Sequence, residues 1–417
     1  MDVDVHEAGR DVCARRINDR IVCGGGELLC GDDACDPLIV AENESRPRRK
    51  ASDAVRISLL TCQPHEEVYS IYGHTAIRYQ DVARGTDIAV NYGMFSFHKP
   101  YFVLRFVFGL TDYEMGIESF DTFCAQYASY GSGVYEQVLN LTPEEKLTIA
   151  KAIDTNYEPQ NRVYRYNYFY DNCTTRARDM ITNHLQASVE YGNEKAEDAT
   201  SYRQIVHQCA SQTPWIRFGN DMLLGIKADL PIDRAQRQFL PANLMNDFER
   251  ATLNNGSPTK RKLVVSSGWV VQPGVQTSSS SFPLSPTALM LILAAIILGT
   301  TAIEGKLNTR FRWFDGFWFL ICGLIGILLF VMIFSQHPTV SLNLQILFFC
   351  PYTLLYIYRA VKKGKETQFL RSIKIWCILI SLFLIGGFFQ HYAEGVRFLA
   401  LSLLIRYIYL IYRHKRA

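Results

Sequence analysis

The sequence predicts an α+β soluble domain followed by an all-α membrane domain of five transmembrane helices. From Thr287 onward the 417-residue chain changes from an ordinary globular composition to long apolar runs. Before that point, stretches with the period of a strand are interleaved with stretches with the period of a helix. A polar stretch, "GVQTSSSSFPLSP" (274–286), separates the two parts as a linker. The division is therefore 51–270 for the soluble domain, 271–286 for the linker and 287–417 for the membrane domain. Residues 1–50 hold no apolar run of the kind an export signal carries. They are expected to be a leader or an artificial extension, disordered and outside the fold.

In chain order, "VYSIYGHTAIRYQ" (68–80) alternates as a strand, with Tyr72, His74, Ala76 and Arg78 on one side. Ile71, Gly73, Thr75, Ile77 and Tyr79 take the other side, and Gly73 leaves room for a close approach. Turn residues "DVARGTD" (81–87) lead to a second strand, "IAVNYGMF" (88–95), which completes a hairpin. "SGVYEQVLNL" (132–141) reads as a strand. In "TPEEKLTIAKAIDTNY" (142–157), Thr142 with Glu145 forms a capping box and Pro143 takes the first helical position. Tyr164, Tyr166, Tyr168 and Tyr170 recur at every second position, a strand that ends at Asp171. Asp171 or Asn172 then caps a helix whose apolar face carries Cys173, Ala177, Ile181 and Leu185. "PWIRFGNDMLLG" (214–225) and "DRAQRQFLPANLMNDF" (233–248) mix apolar and basic residues, which fits interfacial elements and core helices equally.

The five apolar stretches run roughly over 286–303, 316–334, 344–361, 373–389 and 396–412. Basic residues follow the first (Lys306, Arg310, Arg312), the third (Arg359 to Lys374) and the fifth (Arg413, Lys415, Arg416). The loops 335–343 and 390–395 have no Lys or Arg. By the positive-inside rule the soluble domain lies outside the cytoplasm and the C-terminus inside. Arg406 falls near the middle of the last stretch, where a charge requires a polar partner inside the bundle.

Chemistry is expected at Cys173. In the first turn of its helix, unpaired N–H groups and the positive end of the dipole lower a thiol's pKa and can hold an oxyanion. His74 is the candidate base, on a strand with a glycine neighbour, while His65, His98, His184 and His207 are rivals. Asn91, on the paired strand, would orient the imidazole in a Cys/His/Asn arrangement. Cys62 and Cys124 are a possible disulfide. Among the remaining cysteines, Cys13, Cys23, Cys30 and Cys35 lack the spacing of a zinc site. A net charge of +3 with no basic stripe, no Gly-rich phosphate loop and no HExxH gives no support to nucleic-acid, nucleotide or zinc-protease functions. No metal or organic cofactor is implied.

The motifs "YGHTAIR" (72–78), "NYGMFSF" (91–97) and "YNYFYDNCTTRARD" (166–179), with a C-terminal block of five apolar stretches, resemble the Lnb family of bacterial lipoprotein N-acyltransferases. The resemblance spans essentially 52–412 and implies a permuted NlpC/P60-like, papain-like domain in which the histidine strand precedes the cysteine helix. It is similar in that order to lecithin:retinol acyltransferase-like enzymes, which move acyl groups from phospholipids through a thioester. The resemblance implies Cys173 as nucleophile and His74 as base; Asn91 as third member rests on the hairpin alone. The implied partners are a phospholipid donor and a diacylated lipoprotein acceptor, at the bacterial inner membrane with the catalytic domain in the periplasm. Tyr72, Asn172, Arg176, His337, His391, Arg397 and Arg406 are candidates to contact substrate, although Glu394 with Arg397 also reads as an ordinary surface pair. A cell-wall cysteine peptidase and a non-enzymatic lipoprotein receptor are the alternatives.

Overall fold

The computed structural model describes residues 54–416 apart from 66, 68–69, 96–99, 193–199, 257 and 276–281. The expectations for the leader and for the middle of the linker fall outside the described residues. Contacts divide the chain into two compact units, one of 1–99, 111–195 and 233–278, the other of 100–110, 196–232 and 279–417.

The first unit is built on a seven-stranded antiparallel sheet. Its strands are β1 (Val55–Cys62), β2 (His74–Asp81), β3 (Thr86–Met94), β4 (Asp112–Ser119), β5 (Val134–Leu139) and β6 (Val163–Arg165). After β7 (Ser188–Glu190), β8 (Thr252–Asn254) and β9 (Arg261–Lys262), which form a small sheet of their own, β10 (Val264–Val271) completes it. The order is β10-β5-β1-β2-β3-β4-β6. The central strand β1, which the sequence analysis does not assign, reads VRISLLTC, and Ile57, Leu59, Leu60 and Cys62 are all buried. A strand covered on both faces loses the alternation that would mark it. The β2–β3 hairpin pairs Asp81 with Thr86 and Ala76 with Asn91, and Asp81 accepts the Ala83 and Arg84 N–H groups in the turn.

Helices α1 (Phe120–Ser129), α2 (Pro143–Tyr157) and α3 (Cys173–Thr182) belong to the same unit, and α2 has the expected Thr142/Glu145 capping box. The tyrosine strand is shorter than its alternation suggests. Only Val163–Arg165 pairs, at the sheet edge, before a turn closed by mutual Asn167 and Asp171 backbone bonds at 2.9 Å. That turn redirects the chain so that α3 can start against the sheet. Leu185 falls beyond the end of α3. Of the two ambiguous segments, 233–248 supplies the core helix Pro241–Arg250, with Leu244 and Phe248 buried.

The other ambiguous segment belongs to the second unit. There α4 (Tyr202–Cys209) and α5 (Pro214–Leu223) join α6 (Pro286–Lys306), α7 (Arg312–Met332), the stretch Leu344–Val361, α8 (Glu366–Gly386) and α9 (Val396–Arg416). Phe218 and Met222 of α5 pack on the apolar core of the membrane helices. Arg203, 2% exposed, bonds Asp221 at 2.7 Å and Asp229 at 2.8 Å. Gln345 donates to the Asp221 carbonyl, Asn343 to that of Met222 and Gln390 to that of Leu224. These side-chain bonds tie the α4–α5 segment to Asn343, Gln345 and Gln390, so the contact boundary departs from the linear one at 270.

Among the described residues, four segments are long and apolar enough to cross a membrane: α6, α7, Leu344–Val361 and α8. The fifth predicted stretch is α9, equally long at 21 residues but interrupted by Arg397, Arg406 and Arg413. The third is not a regular helix. It consists of the 3-10 turns Leu344–Leu347 and Pro351–Tyr356 and the short helix Ile357–Val361. Irregular backbone is tolerated at membrane depth where protein satisfies it. Trp376 donates to the Phe348 carbonyl at 3.0 Å, and Thr353 donates to Phe319 of α7 at 2.7 Å. Gly326 of α7 permits the approach, since a Cβ there would meet the Phe349 carbonyl at 2.6 Å.

Arg406 is fully buried, donating to Asp315 and Glu304 at 2.9 Å each. Both acids are buried too, and Arg310 holds the other Asp315 oxygen at 2.9 Å. Breaking a buried pair leaves an uncompensated charge, which costs about 3–5 kcal/mol. Asp315→Ala is therefore expected to lower the thermal unfolding midpoint in detergent sharply. Asp315→Asn, which keeps an acceptor, should lower it less.

Candidate active site

The sequence of α3 fixes where its first thiol can go. Asn172 caps the helix: its Oδ1 accepts the Thr174 and Thr175 N–H groups at 3.0 and 2.9 Å. Its amide donates to the Tyr168 and Phe239 carbonyls at 3.0 and 2.9 Å, so the side chain is fully engaged. Asn172 is thus a capping residue rather than a free substrate contact. Two of the N–H groups expected for an oxyanion are consumed by this cap. The N–H of Cys173 itself makes no hydrogen bond among the described residues.

Cys173, partly buried, meets β2. The Thr75 backbone contributes a hydrogen bond to the sulfur, and the Thr75 hydroxyl donates to that of Thr174 at 3.1 Å. His74, the first residue of β2, is hydrogen-bonded to Cys173, and its Nε2 lies 3.1 Å from Asn91 Oδ1. Asn91 in turn donates to Glu118 of β4 at 2.6 Å. Strand register explains the line. Ala76 faces Asn91, Asn91 faces Gly116, and side chains two residues apart share a face. His74, Asn91 and Glu118 therefore form a row across three strands.

The electrostatics favour an ion pair. Burial opposes ionisation of the Cys173 thiol, but the His74 charge and hydrogen bond, with those of Thr75 and Thr174, outweigh it and hold the pKa below the ordinary thiol value. Burial likewise disfavours protonated His74, yet Cys173, Asn91 and Glu118 together raise its pKa. Each shift stabilises thiolate beside imidazolium, and the two groups titrate as one pair. Burial raises the Glu118 carboxyl, against the opposing influence of Asn91 and His74.

The rival bases are engaged elsewhere. His65 stacks on Tyr130, His184 contacts the Met180 carbonyl and His207 contacts Asp221, while His98 lies outside the described residues. Cys62 and Cys124 are free thiols. Gly73, at φ +76°, lies where a Cβ would sit 2.6 Å from the Cys62 carbonyl, so the close approach predicted there is by the end of β1.

Two further candidates belong to the first unit. Arg176 forms a bidentate bond with Asp171 at 2.6 and 2.8 Å, its guanidinium 3.6 Å over the Tyr164 ring. Tyr72 packs edge-on against Tyr168. The remaining four belong to the second unit. His337 contacts the Phe106 carbonyl at 3.3 Å, and the His391 ring packs edge-on against His207. Arg397 donates to the Gly387 carbonyl at 2.8 Å and Arg406 fills the buried ion cluster. Glu394 pairs with Arg217 of α5, not with Arg397, because the α4–α5 segment packs into that unit. Glu118 is not among the residues expected from the sequence, although "DYEMGIES" carries a strand signal: Tyr113, Met115 and Ile117 are buried in alternation.

Residues 44–208 match the family profile of the Lnb N-terminal periplasmic domain, and residues 277–417 match that of the Lnb transmembrane domain. No curated protein and no solved structure matches the chain.

Thiolate is present above the lowered Cys173 pKa and is lost as pH falls through it. Alkylation of Cys173 by iodoacetamide should therefore reach half its maximal rate below pH about 8.5, the ordinary thiol midpoint. His74→Ala leaves burial opposed only by the Thr75 and Thr174 hydrogen bonds and should raise that midpoint. Glu118→Leu frees the Asn91 amide to turn and is expected to slow acylation of Cys173 by an ester about 10-fold, the worth of one hydrogen bond to a charged group.

Proposed function

Since the chain belongs to the Lnb family, with a periplasmic N-terminal domain and a transmembrane domain, we propose that it is a lipoprotein N-acyltransferase. It moves an acyl chain from a phospholipid to the α-amine of the N-terminal diacylglyceryl-cysteine of a lipoprotein. The observation that carries this reading is the partly buried Cys173–His74 pair, oriented through Asn91, in a chain that also supplies a membrane domain. A helix-borne cysteine set against a sheet-borne histidine is the papain-like arrangement, with the histidine strand first in the chain.

In the first half-reaction the Cys173 thiolate attacks the ester carbonyl of the donor, and His74 gives its proton to the departing lysophospholipid oxygen. The acyl chain remains as a thioester. In the second half-reaction neutral His74 takes a proton from the acceptor amine as it attacks, and the thiolate leaves. Asn91 accepts from His74 Nε2 throughout, which leaves Nδ1 to exchange protons at the site. No metal or cofactor enters these steps.

Both substrates are lipids, so anchoring the domain in the same membrane raises their effective concentration. The loop charges support a catalytic domain in the periplasm and a C-terminus in the cytoplasm. Helix α9 makes the fifth crossing, its central arginine neutralised by Glu304 and Asp315. Tyr72, two residues before His74, and Arg176, three after Cys173, are the residues we assign to substrate contact.

Incubation of the full-length protein with a defined phospholipid should add the mass of one acyl chain, removable by neutral hydroxylamine. Cys173→Ser should abolish the adduct and reduce turnover by on the order of 10⁴-fold or more. Release of neither adduct nor lysophospholipid, with cleavage of a cell-wall peptide instead, would replace this reading with a peptidase.

A further inference from the structure

Tyr164, on β6, is 7% exposed, and its hydroxyl has no hydrogen-bond partner among the described residues. A buried, unsatisfied hydroxyl is costly and calls for an explanation. The neighbourhood supplies one. A Cβ placed on Gly93 would lie 3.7 Å from Cys173 Cβ and 4.0 Å from Tyr164 Oη. The nucleophile's carbon and the idle hydroxyl thus flank the same bare glycine. Gly93 sits at φ +90°, a conformation that side-chain-bearing residues rarely adopt, so the space between them stays open. Asn172 has already taken the Thr174 and Thr175 N–H groups, leaving the Cys173 N–H as one donor where two are usual.

We propose that Tyr164 is a catalytic residue whose hydroxyl, together with the Cys173 N–H, holds the oxyanion formed when Cys173 attacks an acyl carbonyl. The assignment rests on the acyl-transfer reading of the site. As the Sγ–carbon bond forms, the carbonyl π electrons move onto oxygen and the two donors stabilise that charge. When the electrons return, the carbon–oxygen bond to the lysophospholipid breaks and its oxygen takes the proton from His74. The same pair holds the oxyanion when the amine attacks the thioester and the thiolate departs.

Two properties suit the phenol to this work. Burial, with the nearby Cys173 charge, keeps its pKa far above the ordinary tyrosine value, so it carries its proton at every working pH. The Arg176 guanidinium, stacked 3.6 Å from the ring centre, holds the ring in place and favours electron withdrawal from the hydroxyl.

The test compares two reactions of Cys173 in the full-length protein and in Tyr164→Phe. Acylation by a p-nitrophenyl ester passes through an oxyanion, whereas alkylation by iodoacetamide does not. Tyr164→Phe should slow acylation by on the order of 10²-fold while alkylation and its pH midpoint stay within about 2-fold of wild type. Acylation within about 2-fold of wild type would overturn the assignment. So would an equal loss in both reactions, which marks a packing role. A wild-type protein that acylates from the ester but never passes the acyl group to a lipopeptide amine would defeat the transferase reading and leave the Tyr164 assignment intact.

Discussion

The contact between the first turn of α3 and the start of β2 is the constraint on which the site depends. A thiolate and an imidazolium stabilise each other only at hydrogen-bond distance and only when both have left bulk water. Here the Thr75–Thr174 bond ties helix to strand, and the Asn172 cap fixes where the helix begins. Burial alone would return Cys173 to its neutral form; His74 reverses the outcome. The row from His74 through Asn91 to Glu118 then extends that order across the sheet, setting ring orientation by strand register instead of by flexible side chains.

The membrane unit solves a related problem by another route. Its buried charges occur in neutralised sets, with Arg406 held by Glu304 and Asp315 and Arg203 held by Asp221 and Asp229. Its irregular segment Leu344–Val361 survives because Trp376 and Thr353 satisfy backbone groups and Gly326 lets the chain come close. In both units the buried arginines and the irregular backbone are matched by specific partners. The Tyr164 hydroxyl, unpartnered like several other buried polar atoms, is distinguished by its place beside Gly93 and Cys173.

Much of this was legible in order along the chain. The capping box at Thr142, the hairpin from His74 to Met94 and the position of Cys173 at a helix start follow from spacing over a few residues. The failures share a cause. β1 carries no alternation because it is covered on both faces, and the tyrosine run stops pairing after Arg165 because edge pairing with β4 ends there. Residues 196–232 cluster with the membrane helices through Asn343, Gln345 and Gln390, whose partners lie more than a hundred positions away.

The sequence by itself determined the periods, the caps, the apolar runs and the motifs at His74 and Cys173, because these depend on neighbours within one or two turns of the chain. Only the tertiary structure decided that Glu118 stands behind Asn91, that Asn172 spends its amide on the helix cap and that Tyr164 is left with an unpaired hydroxyl beside Gly93. Each of those facts is set by which strands lie side by side and in what register. That is fixed by burial of the whole sheet, a sum over distant residues that no local stretch contains.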